Sequence, residues 1–282
     1  MKKTTKKLLA LVLALAMVMA LLTGCGGDSG QKSLTNDDLV NQNDENLQQH
    51  QGATGYIRDK LVIAFTAATS LNPWGTSNNT PGNFEVYECL FQANIEGVTY
   101  PVLADATRGE FGGYDHEAGT GVYTVYIWDN IYDHNGNHVD ANDVKFSYDY
   151  QKANAVTAGW DILQSVDVVD DTTIKFTFSD ELSGLGQFEQ IFTMCFVIDE
   201  DTFNSSSSQL LDEMIGTGPY KMKEYVPGSE LILERNEDYW QTNEEYRPQS
   251  QQANVQILDY KFINDMNTRI MMCKTGEIDL RS

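Results

Sequence analysis

Residues Thr173 to Phe178 alternate polar and apolar side chains without a slip, placing Ile174, Phe176 and Phe178 on one side. A period of two fits a strand with one buried face and does not fit a helix. Five more short runs read as strands, the apolar Lys60–Phe65, then Val122–Trp128, Gly218–Tyr225, Glu230–Glu234 and Val255–Phe262, and Val122–Trp128 is rich in β-branched and aromatic residues. Such residues suit a pleated, half-buried surface. Turn residues break the runs, as at Leu71-Asn72-Pro73-Trp74-Gly75 and Asn135-Gly136. Helix patterns lie between them. Asn83 to Gln92 sets Val86 with Leu90, and Tyr87 with Phe91, four apart. Val144 to Ala155 follows Asp140, a capping residue, and Asp143, whose charge meets the helix N-terminus. Asn267 to Lys274 reads as a last helix, ended by Gly276. Strands and helices are interspersed, so the expected fold class is α/β (mixed α+β), with no internal repeat.

The chain starts differently. Lys2, Lys3, Lys6 and Lys7 precede 15 residues, Leu8 to Leu22, without a polar side chain. As a helix this run is about 22 Å long, whereas a bilayer core of about 30 Å needs about 20 residues. It therefore reads as the apolar part of a signal peptide, residues 1–24. Leu22-Thr23-Gly24-Cys25 ends it in the lipobox pattern of bacterial lipoproteins: a branched apolar residue, two small ones and a cysteine. Cys25 is the expected lipid attachment site, and two or more acyl chains hold a protein stably at a membrane. Residues 25–55, rich in Gln, Asn, Asp and Gly, read as the lipidated Cys and a flexible tether. The expected location is the extracytoplasmic face of a cell membrane.

Without the four leading lysines the chain has 15 Lys+Arg against 41 Asp+Glu, a formal −26. Such a surface repels nucleic acid and anionic lipid headgroups, so no nucleic-acid partner is expected. With 41% hydrophobic and 11% aromatic residues, the chain is equipped for a real core, and its acidity is a solvated surface rather than disorder. Once Cys25 is set aside, Cys89, Cys195 and Cys273 remain. An odd number without CxxC spacing points to buried free thiols, with a Cys89–Cys195 bridge as the alternative.

Enzyme and metal signatures are weak. His134 and His138 are four apart, but Asn135-Gly136 between them marks a turn rather than a helix that would aim both at one metal. The Asp133-His134-Asn135-Gly136 stretch also misses the calcium-loop spacing. Gly216-Thr217-Gly218-Pro219-Tyr220 lacks the Gly-Lys-Ser/Thr ending of a phosphate loop. No G-x-S-x-G, HExxH or Cys-His arrangement occurs. The acidic pairs Asp170-Asp171 and Glu244-Glu245 read as solvated turns. No catalytic residue, cofactor or metal is expected.

Five stretches in order resemble the family 5 extracellular solute-binding proteins, the peptide-, oligopeptide- and nickel-binding components of ABC importers. They are Ser70-Leu71-Asn72-Pro73, the segment IYDHNGNHVDANDVKFSYDY from Ile131 to Tyr150, Gly216-Thr217-Gly218-Pro219-Tyr220, the run Leu231 to Trp240, and Lys274-Thr275-Gly276-Glu277-Ile278-Asp279-Leu280. The resemblance covers about Leu61 to Leu280. Asn72 stands where the family usually has Asp, and Asn137-His138 replaces a Gly-x-Pro. Family members are nearly twice as long.

The resemblance implies a periplasmic-binding-protein-like type II first lobe with the family's extra small domain, the second lobe missing. Residues 56–90 and 213–282 would form the incomplete first lobe, and 91–212 the extra subdomain. It further implies that the loop after the first strand, with Trp74, Gly75, Ser77 and Asn79, lines a ligand wall. Tyr239 and Trp240 are two further candidates there, with core packing as their competing role. The implied function is a substrate-binding lipoprotein that captures a peptide or similar small solute and passes it to a membrane permease. A truncated gene or partial reading frame is the expectation from length. The other classes open are an extracellular interaction module or nonfunctional remnant and, third, an extracellular hydrolase.

Overall fold

Strand β1 (Arg58–Phe65) is the first described element, and it fixes the larger sheet. The computed structural model describes residues 58–68, 70–74, 80–94, 97–154, 159–180, 191–247 and 252–281, all within the unit Gly55–Ser282. The signal peptide, Cys25 and the tether lie outside the described residues, as do Gly75, Ser77 and Asn79. After β1 come helix α1 (Asn83–Val86) and the short strands β2 (Glu88–Cys89), β3 (Phe91–Ala93) and β4 (Thr99–Pro101). Then follow β5 (Tyr114–Glu117), β6 (Val122–Tyr126), α2 (Ala141–Asn154), β7 (Leu163–Asp170), β8 (Thr173–Phe178) and β9 (Phe196–Val197). The described chain closes with α3 (Glu200–Ser205), β10 (Tyr220–Val226), β11 (Glu230–Arg235), β12 (Val255–Phe262), α4 (Met266–Thr275) and β13 (Leu280–Arg281).

The larger sheet has the order β10-β11-β12-β1-β13. β1 runs parallel to β12, Phe65 opposite Phe262, and parallel to β13, while β10, β11 and β12 alternate in direction. Alternation puts Leu231, Leu233, Leu258 and Tyr260 on one face, where Leu61, Ile63 and Phe65 join them. The opposite face carries Asp259, held by Lys60 at 2.5 Å and Lys261 at 3.2 Å.

The second sheet is antiparallel, in the order β5-β6-β8-β7. Ile174, Phe176 and Phe178 are buried on the face expected from their alternation, together with Tyr123 and Val125. Helix α2 packs over β7 and β8 and buries Ala141, Val144 and Tyr148, spaced three and four apart. Its start is a reciprocal cap. Asn142 N–H donates to Asp140 Oδ1 at 2.6 Å, and Asp140 N–H donates to Asp143 Oδ2 at 2.8 Å.

Two hydrophobic clusters result. One gathers the antiparallel sheet, Leu90, Phe91, Cys195, Val197, Tyr239 and Trp240; the other gathers the mixed sheet, Trp74, Val86, Tyr87, Cys89 and Phe196. The expected helix over Asn83 to Gln92 is corrected here. It lasts one turn and gives way to β2 and β3. Residues Val86 to Phe91 are all buried, because this segment runs between the two clusters and packs on both sides. The segment gives Val86, Tyr87 and Cys89 to one cluster and then Leu90 and Phe91 to the other, a hand-over that a helix with one apolar stripe does not make.

Cys89, Cys195 and Cys273 are free thiols, the first two buried and Cys273 exposed. Cys89 packs in one cluster and Cys195 in the other. Cys89 lies opposite Phe196, and the neighbouring Cys195 faces the other way, so the alternative of a Cys89–Cys195 bridge is not realised. Burial was expected of all three. Cys273 escapes it because α4 buries only Arg269.

Candidate functional site

Parallel strands β1 and β12 end side by side, and Ile263 N–H extends their ladder to Phe65 O at 2.9 Å. Ligands of open α/β sheets sit beyond such carboxyl ends, where loops offer free backbone groups. The loop leaving β1 is held at its base. Leu71 N–H donates to Leu211 O, and Thr80 Oγ1 to Ser70 O. Asn72 Oδ1 accepts from Trp74 N–H at 2.8 Å, while its Nδ2 donates to Gln209 O at 2.7 Å. A carboxylate offers acceptors only, so Asn72 makes both contacts where the family's usual Asp would make one. Gln209 and its neighbour Leu210 have φ of 52° and 60°, a region that costs energy for residues with a Cβ. The Asn72 tie helps fix them there.

Trp74 is 7% exposed. Its indole N–H donates to Phe196 O at 2.9 Å, and its ring lies 4.8 Å from Tyr150, 5.2 Å from Phe203 and 5.9 Å from Phe146. The structure thus places Trp74 as a foot of the loop, inside an aromatic cluster.

Tyr239 and Trp240 come together on a residue the sequence reading missed. Tyr239 Oη donates to Glu88 Oε1 at 2.6 Å, and Trp240 Nε1 donates to Glu88 Oε2 at 2.9 Å. Glu88 is 2% exposed. Burial pushes its carboxyl up to about 7, against the lowering effect of those two donors and of the Arg247 charge. The Arg247 guanidinium stands 5.1 Å above the Tyr239 ring. Glu88, Phe84, Tyr87, Cys89, Gln92 and Val102 line a small pocket. The available signal was a lone acid inside the apolar run Val86 to Phe91.

His134 and His138 are not brought onto one centre. His134 Nε2–H donates to Gly218 O at 2.9 Å, and Nδ1 accepts from Gly216 N–H at 3.3 Å. Burial holds this imidazole down to about 4, so it is neutral with the proton on Nε2. His138 Nε2 donates to Asp129 O. Asp133 Oδ1 accepts from the Asn135 and Asn137 N–H groups, and Oδ2 accepts from Thr202 Oγ1 at 2.6 Å. Among the described residues no group of three or more His, Cys, Asp or Glu could hold a metal ion. No described helix is long and apolar enough to cross a membrane.

The fold has counterparts among solved ABC-transporter binding proteins. DppA from Helicobacter pylori in complex with peptide STSA aligns at TM-score 0.64 and 24% identity, over 79% of this chain and 46% of that one. CtaP (Lmo0135) from Listeria monocytogenes aligns at TM-score 0.61 and 26% identity, over 79% of this chain and 44% of that one. In sequence, the oligopeptide-binding protein AppA of Bacillus subtilis is 23% identical over 294 aligned residues, covering 97% of this chain and 48% of AppA. The chain spans half or less of the length of the curated relatives it matches first. Residues 99–282 match the model of the bacterial extracellular solute-binding proteins, family 5 middle part. The chain belongs to this family.

Proposed function

We propose that this chain is the solute-capturing part of a lipid-anchored binding protein for an ABC importer, and that its solute is a peptide or a similar small molecule. The observation that carries the reading is the family match across residues 99–282. It is supported by relatives named for oligopeptide binding and by a fold neighbour solved with a peptide. The loop after β1, with Trp74, Gly75, Ser77 and Asn79, forms one wall of the site. Trp74 anchors the start of that loop, and the backbone N–H and C=O groups that a loop leaves unpaired suit the repeated amides of a peptide. Tyr239 and Trp240 stiffen the neighbouring segment through Glu88. Residues 56–90 and 213–282 act as the first lobe and 91–212 as the extra subdomain. The protein binds and hands over its solute to a membrane permease without catalysing a reaction.

Calorimetric titration of the purified chain with a panel of short peptides and oligosaccharides tests the reading. Saturable heat with peptides, one site per chain, is the expected result. A chain folded by circular dichroism that takes up no heat with any of them overturns capture by this chain. The anchor is tested apart, by feeding labelled palmitate to a bacterial host. Label is expected on the wild type and not on Cys25→Ser; equal labelling removes the assignment of Cys25.

A further inference from the structure

Helix α4 is attached to the fold in an unusual way. It buries one residue, Arg269, which is 5% exposed, while Met266 and Met271 stand 48% and 58% exposed. An apolar stripe does not hold this helix; a guanidinium does. Arg269 Nε donates to Ile263 O, and Nη2 donates to Thr66 Oγ1 at 3.0 Å. Thr66 and Ile263 are the residues that directly follow β1 and β12. One planar fork therefore grips both chains as they leave the sheet. Asn264 adds a second tie, its Oδ1 accepting from Ala67 N–H at 3.1 Å. At the far end of α4, Asp279 Oδ2 accepts from Val62 N–H and Asp279 N–H donates to Val62 O, both at 2.8 Å. The segment from Asn264 to Asp279 thus clasps β1 along its edge and at its exit.

We infer that Arg269 is a positioning residue: by gripping Thr66 and Ile263 it fixes the course of the loop after β1. The inference rests on the reading that this loop meets the solute. Burying a guanidinium costs several kcal/mol unless its donors are engaged, so simple attachment of α4 would be served as well by a buried Leu or Met. A rigid fork of five donors does what an apolar side chain cannot, which is to set two backbones at a fixed separation and angle. Lysine keeps the charge and loses the fork. Binding loops need such ties because their backbone groups are outside the ladder, and freedom in the unbound loop weakens capture.

Amide hydrogen exchange on the full chain, wild type against Arg269→Lys and Arg269→Met, tests the inference without any ligand. In Arg269→Lys, exchange at Ala67 and Ile263 should speed up about 10- to 100-fold, the scale of losing hydrogen bonds to a charged donor. Amides of β6 and β8 in the other sheet should keep their wild-type rates. Thr66→Val should loosen Ala67 by a smaller factor, since one of the grips remains. Unchanged protection at Ala67 and Ile263 in Arg269→Lys overturns the inference, and so does an equal rise in both sheets, which would mark ordinary destabilisation. If Arg269→Met does not fold, the Lys and Thr66 variants still decide. The functional reading fails separately: local loosening as expected, with no peptide heat from the wild type, overturns capture and leaves the positioning role standing.

Discussion

Glu88 and His134 both lie by the Gly216–Gly218 loop, and burial acts on their pKa values with opposite sign. Gly218 N–H donates to Val86 O, two residues before Glu88, while His134 holds both Gly216 N–H and Gly218 O. In both cases the low-dielectric surroundings favour the neutral form. For a carboxyl that means keeping its proton, up to about 7. For an imidazole it means losing it, down to about 4. His134 thus fastens the loop as an uncharged group, and Glu88 beside it is uncharged as well at mildly acid pH; each becomes charged at one end of the range. Both ionisable residues serve here as hydrogen-bonding groups of defined shape rather than as charges.

The largest effect comes from breaking the loop they share. A Cβ added at Gly216 would stand 2.3 Å from Val86 O and 2.6 Å from the Tyr87 ring. Backbone on one side and a buried ring on the other leave it no escape, so Gly216→Ala should cost about 3 kcal/mol or more. Urea denaturation monitored by circular dichroism reads this as a lower midpoint. Both fastenings should loosen together, which exchange of the Gly216 and Gly218 amides would show. Loss at one amide alone would mean that the two regions are independent.

The next effect separates them. Between pH 4.5 and about 7 the folded Glu88 keeps a proton that the unfolded chain has released, so its share of stability falls as pH rises. Between about 4 and 6.5 the unfolded His134 is protonated and the folded one is not, so its share rises with pH. Each spans about 2.5 pKa units, or about 3 kcal/mol at 1.36 kcal/mol per unit. In the wild type the two slopes oppose each other from pH 4.5 to 6.5. Glu88→Gln should therefore gain stability relative to wild type as pH rises from 4.5 to 7, and His134→Gln should lose it relative to wild type from pH 4 to 6.5. Denaturation midpoints across this range give the difference curves. Parallel curves for both variants would abolish the comparison.

The sequence was a good guide to the frame and a poor one to these fastenings. All six strand runs appear as strands, with Val255–Phe262 at its expected bounds, because short apolar or alternating runs between turn residues carry a local signal. The cap at Asp140 and Asp143, and the stop of α4 at Gly276, where φ is 76°, are local as well. The short strands β2 and β9 were not legible, since their pairing joins residues more than a hundred positions apart. Glu88 was missed for the same reason: its partners Tyr239 and Trp240 are 151 and 152 residues away. Tyr239 and Trp240 themselves were found through a motif resemblance, which marks positions without saying what the side chains touch. Nothing local in Gly216-Thr217-Gly218 announces why glycine is needed twice: a Cβ at Gly216 would meet the Val86 backbone, and one at Gly218 the backbones of Glu85 and Val86.

The smallest effect sharpens the Glu88 side. Tyr239→Phe removes one donor to Glu88 and keeps the ring beneath Arg247; Trp240→Phe removes the other. A lost hydrogen bond of this kind costs about 1 kcal/mol. Both donors lower the Glu88 carboxyl against burial, so in either variant it should titrate above its wild-type position. The fall in stability with rising pH then extends to more alkaline pH, and the His134 window stays where it was. Oε1 receives the shorter bond, 2.6 Å against 2.9 Å, so Tyr239→Phe should move the Glu88 window further than Trp240→Phe. Equal or reversed shifts would show that bond length is not what ranks the donors. Where the chain takes up peptide, the same variants bear on the solute site. A residue that only stiffens its segment lowers affinity no more than the lost stability accounts for, whereas one that touches the solute lowers it further while the midpoint moves by the same 1 kcal/mol or so.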